Sequence, residues 1–93
     1  MNISVRELLL LNSPNLIDIR ERYKFLNDTI YGSVNISESE LMFNTGKYLN
    51  KTDKYYIFCD YGNRSRRLCE FLNDNGYMVY NIVGGYNAYH LEK

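Results

Sequence analysis

Short apolar runs alternate with longer amphipathic stretches along this chain, and this alternation limits the possible folds more than any other feature of the sequence. The runs are rich in β-branched and aromatic residues, which favour strands. Four of them are strand candidates: residues 16–19, 33–36, 55–59 and 79–83. Strands separated by helices pair in parallel, because a parallel pair needs a long crossover connection. The sequence therefore predicts an α/β fold built on a mostly parallel sheet.

Short local signals place helices between these strands. Two Ser-x-x-Glu capping boxes, at residues 4–7 and 37–40, predict one short helix running to about residue 11 and another running to about residue 49. A third helix is predicted over residues 65–75, with Gly76 at the position beyond its end that requires a positive φ. A short final helix is expected after Gly84 and Gly85.

The size and charge of the chain exclude several classes of protein. A chain of 93 residues, 45% of them apolar, predicts one compact domain over residues 1–93 and excludes an acidic, disordered chain. The 11 basic and 11 acidic residues balance, which argues against a nucleic-acid-binding protein with a broad basic face. No run approaches the roughly 18 apolar residues of a membrane span, and no secretory signal is evident. We expect a cytoplasmic protein with neither nucleic acid nor a membrane as partner.

Cys59 ends the strongest strand candidate and is followed by a short loop and a helix. A thiol is a weak nucleophile until it ionises, and a helix N-terminus, inward-facing N–H groups and a nearby guanidinium all favour the thiolate. Gly62 supplies the backbone freedom that such a loop needs. Arg64 offers a fork of donors for an oxyanion, and Ser65 is a candidate N-cap whose hydroxyl can reach the sulfur. In a reducing cytoplasm such a thiol stays free, so the segment predicts a reactive cysteine.

Four segments of the chain resemble motifs of rhodanese-like domains. Cys59-x-x-Gly62-x-Arg64-Ser65 resembles the active-site loop of that family. The other three are Leu-Ile-Asp-Ile-Arg-Glu at residues 16–21, Ile-x-Gly-x-Val-Asn-Ile at residues 30–36, and Val-Gly-Gly at residues 83–85 followed by Tyr89. They occur in the family's order and at matching spacing, and together they cover residues 3–90, nearly the whole chain.

The resemblance implies a rhodanese-like α/β fold, with a five-stranded, mostly parallel sheet flanked by helices on both faces. It also implies that Cys59 is the sulfur acceptor, and we predict Cys59 and Arg64 as the catalytic residues. The other predicted site residues form a substrate-binding loop and a supporting pair beside it: Asp60, Tyr61, Gly62, Asn63 and Ser65 in the loop, and Asp18 and Arg20 in the pair.

The predicted activity is that of a sulfurtransferase. It would move sulfane sulfur from thiosulfate or a persulfide to a thiol or cyanide through a persulfide on Cys59, without a metal or an organic cofactor. A protein that delivers or removes the sulfur is an alternative to these small partners. Many thiosulfate-using members of the family carry a basic residue in the loop, whereas Asp60 adds a negative charge there. Asp60 therefore argues against thiosulfate as the donor.

Two functions of other classes remain as alternatives. A cysteine phosphatase or arsenate reductase also combines a cysteine, a cradle of N–H groups and an arginine, but its loop is longer than the four residues between Cys59 and Arg64. A non-catalytic rhodanese-like module would bind a partner or sense redox state. The presence of Cys59, Gly62 and Arg64 together disfavours an inert module.

Residues outside the loop allow more than one interpretation. Cys69 is either a resolving cysteine for Cys59 or a helix residue packed on the sheet, and its place on the apolar side of the helix favours packing. His90 is the only histidine, so a zinc site is not expected and we place it on the surface. Arg66 and Arg67 form either a rim that attracts anions or a solvated helix face.

Overall fold

A five-stranded sheet lies at the centre of the computed structural model, which describes residues 1–93. The strands are β1 (Asn2–Ile3), β2 (Leu16–Asp18), β3 (Val34–Asn35), β4 (Lys54–Phe58) and β5 (Met78–Ile82). Their spatial order is β1-β5-β4-β2-β3, and every neighbouring pair is parallel. The α/β class is thereby confirmed, and the sheet is wholly rather than mostly parallel.

Helices cover both faces of the sheet, as expected. They are α1 (Val5–Leu8), α2 (Arg22–Asn27), α3 (Glu38–Phe43), α4 (Thr45–Tyr48), α5 (Asn63–Asp74) and α6 (Gly85–Glu92). Leu41 of α3 and Leu72 of α5 belong to one buried apolar cluster, and Leu8 of α1 belongs to the other, against which α6 also packs. The sheet therefore has a core on each side.

Strand β4 carries apolar side chains on both faces because both are covered. Ile57 belongs to the cluster beneath α5, whereas Tyr56 and Phe58 belong to the cluster beneath α1 and α6. Phe58 pairs in register with Asp18 of β2, and Ile57 pairs with Asn81 of β5. The carboxyl ends of these three strands therefore meet at one edge of the sheet, where ligands bind in open α/β folds.

The predicted helix over residues 38–49 is wrong in one respect, because it is broken at Asn44 into α3 and α4. Asn44 has φ −129° and ψ 40°, outside the helical region. The Thr45 hydroxyl donates to the Leu41 carbonyl at 2.5 Å, which gives the backbone an alternative to the continuing helical bond. Gly46 adds low helix propensity at the same place.

The two capping boxes differ. The box at Ser4 and Glu7 is complete, with the Ser4 hydroxyl accepting the Glu7 N–H at 3.1 Å and the Glu7 carboxylate accepting the Ser4 N–H at 3.0 Å. In the second box the Ser37 hydroxyl accepts the Glu40 N–H at 3.2 Å, but the Glu40 carboxylate accepts the hydroxyl of Tyr48 instead, at 2.7 Å. In the second box, a hydrogen bond from Tyr48 to the Glu40 carboxylate thus takes the place of the bond from the Ser37 N–H.

Other boundaries shift by a few residues. Helix α1 ends at Leu8 rather than near residue 11, and α5 begins at Asn63, two residues before the predicted start. Gly76 has φ +93° just beyond α5, which confirms its predicted conformation. Strand β1 and helix α2 were not predicted from local patterns.

Candidate functional site

The Cys59 loop, residues 59–65, follows β4, includes the first three residues of α5 and closes around the cysteine sulfur. The N–H groups of Gly62 and Ser65 donate to Cys59 Sγ at 3.1 Å and 3.4 Å, and Ser65 Oγ lies 3.3 Å from the same sulfur. Cys59 is only 3% exposed. The loop therefore forms a small cradle of donors sized for a sulfur atom, next to the N-terminus of α5.

Gly62 is required at the turn of this loop for two reasons. Its φ of +98° lies in the left-handed region that side chains resist, and a Cβ there would lie 2.9 Å from the backbone nitrogen of Gly84. Gly62 is the N-cap of α5, and Ser65 is the third residue of the helix. The prediction that Ser65 is the N-cap is therefore wrong. The Ser65 hydroxyl does reach the sulfur, as expected.

The start of α6 fixes the other side of the loop. The Tyr86 N–H donates to the carbonyl of Cys59 at 2.9 Å, and the Asn87 N–H donates to the carbonyl of Asp60 at 3.0 Å. A Cβ on Gly85 would overlap the Cys59 carbonyl oxygen, so only glycine permits this approach. With these two carbonyls held by α6, the N–H groups of the loop are left to face the sulfur.

The loop makes Cys59 more acidic than an ordinary cysteine. Burial is the largest single influence and raises the pKa of the Cys59 thiol, because it disfavours the thiolate. The Ser65 hydroxyl and the N–H groups of Ser65, Gly62 and Tyr61 act in the opposite direction, and together they outweigh burial. The net result is a lowered pKa, which favours the nucleophilic form of the sulfur.

Asp60 does not present a free negative charge. Its carboxylate lies 3.0 Å from the Nζ of Lys24 on α2, and the same ammonium lies 3.3 Å from Glu21. The hydrogen bond from Lys24 to Asp60 is the main reason that the pKa of Lys24 is raised. Lys24 was not predicted as a site residue, because α2 was not recognised and the two partners are 36 positions apart.

Arg64 lies at the mouth of the loop and is 43% exposed. Its guanidinium is 3.4 Å from a Glu38 carboxylate oxygen and 3.7 Å from one of Glu21, and it makes no hydrogen bond to Cys59 Sγ. These groups line a cleft of about 500 Å³ beside the loop. Neither glutamate was singled out in the sequence as a site residue.

The remaining predicted loop residues lie on its outer rim. Tyr61 is 68% exposed, and Asn63 is exposed at the first position of α5. Of Tyr61, the backbone N–H helps to lower the pKa of Cys59. Both side chains are therefore placed where an incoming molecule would meet them.

Asp18 and Arg20 form a buried ion pair beside the loop, with Arg20 Nη2 2.8 Å from Asp18 Oδ2. The Thr29 hydroxyl also donates to Asp18, at 2.8 Å. The Arg20 guanidinium lies 4.0 Å from the ring centroid of Tyr86, whose N–H holds the Cys59 carbonyl. The pair thus contacts α6 rather than the sulfur, a position suited to support.

Cys69 and His90 lie away from the cradle of donors. Cys69 is 1% exposed in the apolar core beneath α5, and burial raises the pKa of its thiol to about 12. This placement agrees with the packing interpretation. His90 is exposed on α6, where its ring stacks on that of Tyr86 with the centroids 5.8 Å apart.

The structure contains no cluster of three or more His, Cys, Asp or Glu side chains that could hold a metal ion. None of its helices combines the length and the apolar character needed to span a membrane. Arg66 pairs with Glu70 at 3.3 Å along the exposed face of α5, and Arg67 is also exposed.

Asn81 is a site residue that sequence reasoning missed. It is 3% exposed on β5 and accepts a hydrogen bond from the Ser65 hydroxyl at 2.5 Å. The available signal was a polar residue inside the apolar run at residues 79–83. A buried polar side chain in a central strand needs partners, and here its partner is a residue of the Cys59 loop.

Comparisons with known proteins agree on the family of this chain. The model of the rhodanese-like domain family matches residues 4–92. "Putative sulfurtransferase YtwF" of Bacillus subtilis is 30% identical over 74 residues, which are 80% of this chain and 71% of that protein. YqhL of the same organism is 36% identical over 76 residues, 80% of this chain and 59% of that protein.

A solved structure shows the same architecture. The rhodanese-related protein of Thermoplasma volcanium superposes with a TM-score of 0.88 at 30% identity, over 98% of this chain and 91% of that one. The family model spans nearly the whole sequence, and the Cys59 loop stands at the carboxyl edge of the sheet in the structure. This chain belongs to the rhodanese-like domain family.

Proposed function

We propose that this protein is a sulfurtransferase that carries sulfane sulfur as a persulfide on Cys59. The observation that supports this most is the ring of donors around one sulfur atom, with the N–H groups of Gly62 and Ser65 at 3.1 Å and 3.4 Å from Cys59 Sγ. Such donors stabilise a thiolate, and they would also stabilise the anionic outer sulfur of a persulfide. The sulfurtransferase name of YtwF is consistent with this activity.

In the first step the Cys59 thiolate attacks the outer sulfur of the donor. A new S–S bond forms at Cys59 while the donor's own bond to that sulfur breaks, and its electron pair leaves on sulfite or on a thiolate. In the second step an acceptor thiolate or cyanide attacks the outer sulfur of the Cys59 persulfide. The Cys59 thiolate then leaves and is ready for another cycle, so the kinetics are ping-pong.

The ion pairs around the loop are compatible with either thiosulfate or a persulfide as the sulfur donor. Lys24 neutralises Asp60 at 3.0 Å, which weakens the charge argument against thiosulfate. Arg64 contacts Glu38 at 3.4 Å through its Nε, so an anionic donor at the guanidinium would compete with that carboxylate. A persulfide donor or a protein partner would meet the exposed Tyr61 at the rim first. We therefore keep thiosulfate and persulfides as donors, and thiols or cyanide as acceptors.

The geometry gives less support to phosphate chemistry. A phosphatase of this kind uses its loop arginine to hold a tetrahedral oxyanion over the cysteine. The Arg64 guanidinium instead pairs with Glu21 and Glu38 at the mouth of the loop. The cradle also encloses Cys59 so that it is 3% exposed, which suits a single sulfur atom better than a phosphoryl group. A module that only binds a partner would have no use for a cysteine with a lowered pKa, whereas a redox sensor would need one, so sulfur loading has to distinguish the sulfurtransferase from the sensor.

Intact-protein mass spectrometry tests the proposal. Wild-type protein should gain the mass of one sulfur atom on incubation with thiosulfate or with a small persulfide, and cyanide should remove it. The Cys59→Ser variant should gain nothing, while Cys69→Ser, the matched control at the other cysteine, should still be loaded. A wild-type protein that gains no sulfur from either donor, or a Cys59→Ser variant that does, would refute the proposed activity.

A further inference from the structure

A chain of polar side chains runs from the Cys59 sulfur to the edge of the sheet. Ser65 Oγ lies 3.3 Å from Cys59 Sγ and 2.5 Å from Asn81 Oδ1, and Asn81 Nδ2 lies 3.2 Å from Asn2 Oδ1. Asn81 is buried, whereas Asn2 is exposed on β1, directly opposite Asn81 in the strand register. No step of the proposed sulfur transfer uses Asn81 or Asn2.

Ser65 has one hydroxyl hydrogen and several groups that can accept it. The Asn81 amide oxygen is 2.5 Å away, while the Gly62 carbonyl and the Cys59 sulfur are each 3.3 Å away. The shortest of these contacts is the hydrogen bond that forms, so the Ser65 hydroxyl donates to Asn81. The lone pairs of the Ser65 oxygen then face the sulfur. That arrangement suits a protonated Cys59, whose S–H can then donate to Ser65.

An ionised Cys59 needs the opposite arrangement, because a thiolate can only accept. The Ser65 hydroxyl must turn its hydrogen toward the sulfur, which would leave the buried Asn81 oxygen without a donor. The oxygen and nitrogen of the Asn81 amide have nearly the same size, so rotation of the amide by about half a turn exchanges acceptor and donor without repacking. Asn81 Nδ2 then donates to Ser65, and Asn2, being exposed, can turn its own amide to match.

We propose that Asn81 is a positioning residue whose amide reverses direction when Cys59 ionises, so that Ser65 donates to the thiolate and Asn2 follows at the sheet edge. The Cys59 proton leaves to solvent, and no other bond is made or broken. The inference deepens the proposed function and rests on Cys59 being its reacting thiol. It assigns the acidity of Cys59 partly to a residue that does not touch the sulfur.

No charged side chain makes direct contact with the Cys59 sulfur in place of the hydrogen-bonded side chains Ser65, Asn81 and Asn2. The ionisable side chains nearest the loop are paired or held neutral: Asp60 with Lys24, Asp18 with Arg20, Arg64 with Glu21 and Glu38, and Cys69 neutral in the core. Farther along α5, Arg66 pairs with Glu70, and Arg67 carries its charge on the exposed face of the helix. None of them makes a hydrogen bond to Cys59 Sγ, whose side-chain partner is Ser65. The acidity of Cys59 therefore depends on oriented dipoles, and reversal of Asn81 is one way to orient them.

The test is the pH dependence of alkylation at Cys59 by iodoacetamide, followed on the Cys59 peptide by mass spectrometry. Asn81→Asp keeps the acceptor and removes the donor, so it should retain the Ser65 hydrogen and move the alkylation midpoint to higher pH. Alkylation near neutral pH should slow by roughly tenfold, the change expected for about one pKa unit. Asn81→Thr carries a hydroxyl that both donates and accepts, and its midpoint should stay close to that of the wild type.

A double-mutant cycle separates the chain from a direct charge effect. In a Ser65→Ala background Asn81→Asp should no longer move the midpoint, because the group that transmits its effect is absent. An equal shift in both backgrounds would mean that the new carboxylate acts through space, and it would overturn the proposal. An unchanged midpoint in a folded single Asn81→Asp variant would overturn it as well.

Asn2 provides a second test at an exposed position, where folding is not at risk. Asn2→Asp offers only acceptors to the reversed Asn81 amide and should slow alkylation near neutral pH about threefold, whereas Asn2→Ala lets water take the place of the amide and should change little. Identical midpoints for the two Asn2 variants would contradict the proposal. Because alkylation uses no sulfur donor, a protein that fails to load sulfur would sink the proposed function without deciding this point.

Discussion

The two cysteines of this protein are almost equally buried, and yet the pKa values of their thiols are shifted in opposite directions. Cys59 is 3% exposed and Cys69 is 1% exposed. The pKa of Cys59 is lowered because the donors of its loop outweigh burial, whereas the pKa of Cys69 is raised to about 12, mainly by burial among apolar neighbours. Exposure therefore does not distinguish the two thiols. The orientation of nearby N–H and O–H groups does.

Selective alkylation should show the largest difference between the two sites. Iodoacetamide near neutral pH should modify Cys59 at least about a hundredfold faster than Cys69 in the native protein, since reaction requires a thiolate. The measurement is the time course of modification of the two cysteine peptides by mass spectrometry, with urea-unfolded protein as the control in which the rates converge. Comparable rates in the folded protein would contradict the predicted difference in pKa between Cys59 and Cys69.

Gly85 should be the residue whose replacement harms the Cys59 region most. In Gly85→Ala the new Cβ would overlap the Cys59 carbonyl, and the φ of +59° at this position adds strain. We expect a loss of roughly 2–4 kcal/mol in the free energy of unfolding, measured by urea denaturation.

The control for Gly85 is Gly46→Ala. Gly46 is exposed on α4, and nothing lies within 4 Å of the position its Cβ would take. This variant should be neutral or stabilised by about 0.5 kcal/mol, because alanine restricts the unfolded chain and suits a helix better. Equal effects of the two substitutions would mean that α6 does not fix the Cys59 loop.

The raised pKa of Cys69 predicts a loss of stability in alkaline solution. A group whose pKa is higher in the folded state stabilises the fold fully below its unfolded pKa and progressively less as the pH rises toward the folded value. Between about pH 9 and about pH 12 the Cys69 thiol should therefore cost stability. The slope it contributes should be at most about 1.4 kcal/mol per pH unit, the value for one proton.

Urea denaturation of wild type and Cys69→Ala at a series of pH values isolates this contribution, because the lysines and tyrosines titrate in both proteins. The wild type should lose stability more steeply than the variant above about pH 9. Parallel curves would show that Cys69 ionises as easily in the folded protein as in the unfolded chain.

The ion pair between Lys24 and Asp60 should have the smallest effect. Lys24→Met would leave the Asp60 carboxylate unpaired beside the loop and should lower the rate of sulfur loading from the thiosulfate dianion about threefold, with less effect on a small persulfide, which carries less negative charge. Lys47→Met is the matched control, because Lys47 lies on α4 away from the loop. Equal losses with both donors would argue against a charge effect at the entrance.

The central strands and the cysteine loop could be predicted from local sequence, whereas several supporting parts could not. Strand β4 is a continuous apolar run because both of its faces are buried, and that run is visible in the sequence. Strand β1 has only two residues and gains its place by pairing with β5. Helix α2 has no side-chain cap and no fully buried residue, so neither capping nor periodicity marks it.

The cradle of donors around Cys59 could be predicted for the same reason, since Cys59, Gly62 and Ser65 are close in the chain. The partners of these residues are distant in sequence and were missed. Asn81 is 16 positions from Ser65, and Lys24 is 36 positions from Asp60, so only the folded sheet brings them together. The position of Arg64 also depends on Glu38, 26 positions away, rather than on the loop alone.

The most direct test of the central claim is the pH dependence of sulfur loading on Cys59, compared with the pH dependence of its alkylation. If the thiolate in the cradle is the nucleophile, the two midpoints should coincide in the wild type and should shift to higher pH together in Ser65→Ala, which removes a donor to the sulfur. Sulfur loading whose midpoint differs from that of alkylation, or does not move in Ser65→Ala, would contradict the account.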